Sequence, residues 1–386
     1  MKSIFNYSRP INAESIGITG VAGRFPNCAN VVELEEALFK GIDLVSNSHN
    51  RWSTEALKTS PRLGIIHDFP YFDAAFFGIN PKEANTNDPR LRKILEVTYE
   101  ALLDAGLNPT ELRGKNVGIF LGVTQNDISD LSYRGGIIAR SAAIMANVIS
   151  FCFDFKGPSL AVNTACSSGF YALTDAVDNI LAGRCDLAVV GAVQHQFDPA
   201  ESVELIKIGV LHEEGICRSF DADRKGYVKS EGVAAIVLQK VEDAKRIYAT
   251  FAGLGTNVEG FKRDGFAHPS HAMQEVMFRE TFKNFNLDPL DVNYVETHCT
   301  GTRVGDVEEV IAIDDFYTKG RKSPLLIGSI KSNIGHTETT SGLVSIIKTI
   351  LAIREGVIPG NLRFKSPDPL MRGIREGRLK VRFSLK

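Results

Sequence analysis

Short β-branched and apolar runs alternate along the chain with longer stretches in which apolar positions recur every three to four residues. "IGITGV" precedes "VVELEEALFKG", "NVGIFLGV" precedes "RSAAIMANVISFCF", and "PSLAVN" precedes "SSGFYALTDAVDNILAG", with "DLAVVGAV" closing the series. Compact apolar runs read as buried strands and the longer period as amphipathic helices. Their alternation predicts crossover units and a mostly parallel sheet covered on both faces. The best-marked helix opens at Pro89 with Asp88 as cap, places Leu91, Ile94, Leu95 and Leu102 on one face, and stops at Gly106.

A second series follows Thr250. "FAGLGTNV", "VNYVETH" and "LLIGSIK" read as strands, and "HAMQEVMFRETFKNF", "DVEEVIAIDDFY" and "SGLVSIIKTILAI" as helices. The shared grammar predicts two similar α/β halves, residues 15–249 and 250–386, whose sheets pack through a common helical layer. Between them "CRSFDADRKGYVKSEG" is polar and punctuated by glycine, which reads as a loop.

Composition narrows the function. The 386 residues carry a net charge of −2 with Lys and Arg scattered, so nothing advertises a grip on nucleic-acid phosphates or an anionic membrane. No segment supplies the roughly 20 apolar residues of a membrane helix, and the start lacks a signal-peptide pattern; a cytoplasmic protein is expected. The six cysteines show neither disulfide-scaffold density nor C-x-x-C spacing, which fits free thiols.

Three strand-to-helix turns carry candidate chemistry. In "VNTACSSGF", Cys166 sits between a strand and a helix, where unpaired N–H groups favour a thiolate and small neighbours admit a substrate. "VETHCTGTRVGD" delivers His298, and "LLIGSIKSNIGHTETTSG" delivers Lys331 and His336. Taken singly, each has a bland reading: a buried small residue, a satisfied polar side chain, a salt-bridging lysine. Strand ends are nonetheless where open α/β sheets gather function, and a cysteine with two histidines suits covalent thioester chemistry. The same three residues could ligate zinc, but turns built of small residues speak for an open site without metal. Other motifs fail on spacing: "DADRKGYVKSEG" puts Glu231 one place short of a calcium loop's twelfth position, and "GLGTNVEG" misses the dinucleotide pattern.

"NTACSSG", "VETHCTGTRVGD" and "GSIKSNIGH" resemble, in order, the three signatures of β-ketoacyl synthases. "GRFPN", "FDAAFFGINPKEANTNDPRLRKILEVTYEALLDAG", "SFDADRKGYVKSEG" and "PGNLRFKSPDP" are similar to the ketosynthase domain of animal type I fatty-acid synthases, with polyketide synthases next. The resemblance runs from about Ser15 to the C-terminus. It implies a thiolase-like fold, two pseudo-duplicated halves in α-β-α-β-α layers, and decarboxylative condensation of malonyl and acyl groups carried on the phosphopantetheine of an acyl carrier protein, supplied in cis or in trans. It also implies a homodimer, possible further synthase domains and no cofactor bound by the domain itself. Residue by residue, it makes Cys166 the acyl acceptor, His298 and His336 its catalytic partners, Lys331 their support, and Thr300 and Thr302 the lining of the pantetheine passage.

The sequence departs from the pattern at Asn163, usually aspartate, at Gly169, often serine, and at Cys299, usually glycine. A positive φ at Cys299 would strain the backbone, and its side chain could narrow the passage. The family continues beyond the equivalent of "GRLKVRFSLK" into a glycine-rich loop and closing strands, so an incomplete C-terminal half is expected. Two other readings follow: a catalytically impaired, carrier-binding or dimerising module, and a thiolase-fold enzyme using coenzyme A. The second is weakened by a pattern that supplies two histidines rather than a second cysteine.

Overall fold

The computed structural model describes residues 15–124 and 141–382. Its larger sheet contains β1 (Ile16–Arg24), β2 (Val117–Gly122), β3 (Ser159–Val162), β4 (Leu187–Gln194), β5 (Gly232–Lys240) and β6 (Ala249–Thr250), in the order β3-β2-β4-β5-β1-β6. Strands β1 to β4 share one direction. β5 is inserted antiparallel to β4 and β1, and β6 is antiparallel to β1. The expected mostly parallel sheet is therefore interrupted at β5, which the chain reaches from β4 through residues 195–231 without crossing the length of the sheet. A smaller, fully parallel sheet contains β7 (Tyr294–Glu296), β8 (Leu325–Gly328) and β9 (Leu379–Val381).

The helices used below are α1 (Val31–Phe39), α2 (Pro89–Asp104), α3 (Ala142–Phe153), α4 (Ser168–Leu181), α5 (Ala200–Lys207), α6 (His271–Asn284), α7 (Gly305–Tyr317) and α8 (Ser341–Glu355). Alternation along the strands divides the core. Ile119, Leu121, Val189 and Val193 face Leu91, Ile94, Leu95 and Leu102 of α2 together with α3. Phe120, Val190, Ala192 and Ile236 face Leu173, Val177 and Ile180 of α4 and Leu343, Val344 and Ile347 of α8. Each such aliphatic side chain contributes about 1.5–3 kcal/mol when fully buried. On the far side, Phe278 and Phe282 of α6 and Val310, Ile313 and Phe316 of α7 cover Leu325, Ile327, Leu379 and Val381. Helix α8 reaches the smaller sheet as well, since Lys348 Nζ donates to Glu296 Oε2 at 2.6 Å and to Tyr294 Oη at 3.0 Å. The layers run helix, sheet, helix, sheet, helix. Among the described residues no helix is long and apolar enough to cross a membrane.

Two local readings change. Of the segment read as a strand at "FAGLGTNV", nothing from Phe251 to Val258 forms a strand; only Ala249–Thr250 pairs, against Ile18 and Gly17 of β1. The segment is instead pressed onto α6, where a Cβ on Gly255 would lie 1.8 Å from Thr281 Oγ1. The polar stretch from Cys217 to Glu231 is irregular and largely buried, with Ala222, Asp223 and Lys225 exposed. Its charges are satisfied internally: Glu231 accepts from Arg51 Nε and Nη2 and from the N–H groups of Ile66 and Gln196, and Arg224 pairs with Asp368 at 2.7 Å. Composition recognised the absence of regular structure, but only packing shows that polar groups paired this way can lie inside.

Candidate active site

The strand registers bring the reactive turns to one edge of the layers. Gly122 pairs with Val162 and with Ala192, so β2, β3 and β4 end near one level; Glu296 pairs with Gly328, which aligns the ends of β7 and β8. Cys166 lies four residues beyond β3, His298 two beyond β7, and Lys331 three beyond β8. A strand end followed by a helix leaves backbone donors unpaired and side chains pointing across the cleft.

The Cys166 turn is built by short-range hydrogen bonds. Asn163 Oδ1 accepts from Ala165 N–H at 3.2 Å, Ser168 Oγ accepts from Thr164 N–H at 2.9 Å, and the same hydroxyl donates to Ala165 O at 2.6 Å. These contacts hold Ala165 at φ +53°, a left-handed conformation that costs a non-glycine residue roughly 1–2 kcal/mol. The chain then forms a single 3₁₀ turn, Ala165–Ser167, and enters α4. The side-chain oxygen of Asn163 supplies the cap that an aspartate would supply. Gly122 permits the tight approach of β2, because a Cβ there would stand 2.8 Å from Gly169 N.

His298 is held from behind by Glu309, whose two oxygens accept from the N–H groups of His298 and Cys299, each at 2.7 Å. Asp306 accepts from Gly301, Thr302 and Phe220 N–H groups and so folds the following loop back on itself. Gly301, at φ +95°, is the position where that loop requires a left-handed residue. Cys299 has no positive φ; its side chain is buried in the core of the smaller sheet, with Sγ 3.2 Å from Glu309 Oε2. The expected strain at Cys299 is absent because the conformational demand falls two residues later.

His336 follows Gly335, which has φ +76° and packs against Ser230. Its backbone is clamped by the buried 228–230 stretch: His336 N–H donates to Val228 O at 2.8 Å, and Ser230 N–H donates to His336 O at 2.9 Å. Nε2 stands 3.0 Å from Cys166 Sγ, and the ring meets those of His298 and Tyr227 edge-on, with centroids 5.2 and 5.0 Å apart. Nδ1 has no partner. A buried N–H without an acceptor costs more than a bare lone pair, so the proton belongs on Nε2, facing sulfur.

Electrostatics make this trio neutral at rest. Burial, with Glu338 beside it, pushes the Cys166 thiol up to about 12, against the opposing pull of Lys331. Desolvation holds both imidazoles far below their ordinary value, aided by Lys331 for His298 and by His298, Lys331 and Lys229 for His336. His298 nonetheless keeps solvent-accessible surface, which moderates the downward shift. The sequence expectation of a thiolate favoured by the helix N-terminus is thus reversed: burial and a neighbouring carboxylate outweigh the few favourable backbone dipoles.

Cys166, His298, His336, Thr300 and Thr302 line one cavity of about 1120 Å³, together with Ile206 of α5 and Ile208 just after it. Lys331 is buried just behind it. Sulfur and one nitrogen of each imidazole lie within 4.8 Å of one another. Tetrahedral zinc with its usual bond lengths sets sulfur and nitrogen donors about 3.6 Å apart, so the 3.0 Å contact has the length of a hydrogen bond rather than of a shared metal. Sequence reasoning missed Glu309, Asp306, Lys229, Glu231 and Glu338 as site-building carboxylates and cations. The first two stand in the quoted "VGDVEE", but acidic residues at a helix start also read as ordinary capping.

Five α/β layers with a cysteine and two uncharged imidazoles converging at the strand ends define a condensing acyltransferase. The family model for the β-ketoacyl synthase N-terminal domain matches residues 13–244, and that for the β-ketoacyl synthase C-terminal domain matches residues 248–365. The chain belongs to the β-ketoacyl synthase family. It is 42% identical to a fatty acid synthase of Anser anser anser over 353 residues, which covers 89% of this chain and 100% of the goose sequence. It is 36% identical to probable polyketide synthase 1 of Dictyostelium discoideum over 93% of this chain, though it spans only 13% of that protein. Among solved structures, the ketosynthase from module 6 of the bacillaene synthase of Bacillus subtilis 168 superposes with a TM-score of 0.90 at 30% identity, covering 96% of this chain and 66% of that one. This likeness identifies the layered architecture as the thiolase-like fold of ketosynthases.

Proposed function

We propose that this chain carries out decarboxylative condensation for fatty-acid biosynthesis, with Cys166 as acyl acceptor and His298 and His336 as donors to the developing oxyanion. The convergence of Cys166 Sγ, His336 Nε2 at 3.0 Å and the His298 ring on one cavity carries this reading. Identity to the goose fatty acid synthase, higher than to the polyketide synthase, favours the fatty-acid assignment.

In the first half-reaction the sulfur attacks the carbonyl of an acyl thioester. The carrier thiol leaves with the proton that sulfur gives up, and the acyl group is retained on Cys166 at nearly constant bond energy. In the second, a malonyl thioester loses carbon dioxide, and the electron pair of the broken C–C bond enters the enolate. Neutral imidazoles suit this step because they present N–H to an oxygen that gains charge, and a donor aimed there acts mainly in the transition state. The enolate carbon attacks the cysteine-bound carbonyl, the tetrahedral intermediate collapses, and sulfur departs as a thiolate that takes up a proton from water. Thr300 and Thr302 line the pantetheine approach, and Lys331 supports the histidine pair. The domain supplies no cofactor for these steps; the carrier brings phosphopantetheine. Incubating the protein with an acyl carrier thioester and malonyl carrier should give carbon dioxide and a 3-oxoacyl product, measured by mass spectrometry. Carbon dioxide without chain extension would leave only the decarboxylation half standing. A non-catalytic carrier-binding module is disfavoured, since such a module has no need to hold three reactive groups in contact.

The halves 15–249 and 250–386 are proposed as its two thiolase-like units, and a homodimer as its working form. β3 is an edge strand with Leu160 exposed, and the adjoining α3 exposes Phe151. Pairing of two β3 edges about a two-fold axis would satisfy their free backbone groups and cover both side chains. Leu160→Lys is expected to move the protein from dimer to monomer in sedimentation velocity; an unchanged sedimentation coefficient would place the interface elsewhere.

A further inference from the structure

Beside His336, the buried 228–230 stretch is tied to the Glu338–Thr340 turn by an ion pair that the chemistry above does not use. Lys229 Nζ lies 3.3 Å from Glu338 Oε1 and also contacts Glu201 of α5. The other Glu338 oxygen accepts from Gln196 Nε2 at 3.2 Å. Glu338 is 7% exposed and has φ +45°, an uncommon conformation for a residue with a side chain. The placement of this pair matters: Lys229 forms a β-bridge with His336 itself, and the Glu338–Thr340 turn packs on the Ala165–Ser167 turn that carries the sulfur. Ser341, which opens α8, adds a hydrogen bond from its hydroxyl to Cys166 O at 3.3 Å. A pair serving stability alone has no need to brace His336 on one side and pack its turn on the Cys166 turn on the other, nor to store backbone strain at one of its members.

We propose that Glu338, held by Lys229, is a positioning residue that sets the Cys166–His336 contact and tunes the ionisation of the sulfur. It acts through His336 and through space and touches no reacting atom. The charged or titratable groups around the sulfur are Glu338 and Glu201, which oppose its ionisation, Lys331, which favours it, and the two neutral imidazoles; Tyr227 stands beside His336. Removing one carboxylate charge beside a titrating thiol lowers its midpoint by about one pH unit, a tenfold gain in thiolate at any pH below the midpoint. The role concerns the same site as the condensation reading but does not depend on it, because sulfur ionisation is measured without substrate.

The experiment follows iodoacetamide alkylation of Cys166 against pH by peptide mass spectrometry in the full chain, with Cys166→Ala accounting for the other five cysteines. Glu338→Gln keeps a partner for Gln196 and removes the charge. It is expected to shift the midpoint down by about one unit, with alkylation about tenfold faster below it. Lys229→Arg preserves the pair and is expected to retain the parent profile. Glu201→Gln, at a half-exposed position that tolerates substitution, should move the midpoint in the same direction by less and serves if Glu338→Gln fails to fold. A folded Glu338→Gln protein with an unshifted or raised midpoint overturns the proposal, as does an unshifted Glu201→Gln protein where it is the only folded variant. Failure of the parent protein to condense, with the midpoint shift of Glu338→Gln intact, counts against the reaction assignment instead.

Discussion

Cys166→Ala is expected to abolish covalent acylation, lowering 3-oxoacyl formation by at least about a thousandfold, as expected when an enzyme loses its sole nucleophile. Malonyl decarboxylation is expected to persist, because His298 and His336 remain and sulfur takes no part in breaking the C–C bond. The structure tolerates the change: Cys166 lies in a short turn held by Asn163, Thr164 and Ser168, none of whose hydrogen bonds requires the thiol. Two assays on one preparation separate the half-reactions, one following radiolabel from acyl carrier into protein and the other following carbon dioxide from malonyl carrier. Persistent labelling of the alanine protein would remove Cys166 from the role assigned to it.

His336→Ala is expected to show the complementary loss. Removing one preorganised donor to an oxyanion typically lowers the rate about 10²- to 10³-fold, and here it falls on decarboxylation. Cys166 also loses its 3.0 Å partner, so acylation slows, by less than decarboxylation. The pH profile gives an independent check. Both imidazoles have pKa values depressed well below 6.5 by burial and neighbouring cations, so they stay neutral throughout the neutral range. Decarboxylation by the parent protein should therefore show no histidine titration between about pH 6 and 8, where an unperturbed imidazole near 6.5 would titrate. An unchanged rate in His336→Ala, or a parent rate that falls on crossing pH 6.5, would contradict the donor role.

The legible and illegible parts of the protein differ in the distance over which they are decided. Helix α2 was readable to its ends because cap, proline, apolar stripe and stop are all local: Asp88 accepts from Arg90 N–H, and Gly106 takes φ +71°. The three strand-end turns were readable for the same reason, each being an apolar run that breaks into small residues. "FAGLGTNV" failed as a strand because a strand needs a neighbour, and its glycines pack against Thr281 of α6 and Phe285 just past its end instead. Cys299 misled in the opposite direction. Its departure from the expected glycine raised strain as a consequence of a positive φ there, yet the left-handed residue is Gly301, a detail of φ that residue type at one position does not carry.

Strands β1 to β4, β7 and β8 with the helices between them, the three reactive turns and the free cysteines came from sequence alone, because period, propensity and turn chemistry act between residues a few positions apart, whereas β5 and β9 were not read as strands. Folding decided which sides of those turns meet: Cys166 and His336 are separated by 170 positions and stand 3.0 Å apart. It also decided their charge. A helix start that favours a thiolate in isolation is overridden once the sulfur is buried beside Glu338, since the cost of an ion depends on everything around it in space, and adjacency along the chain records little of that.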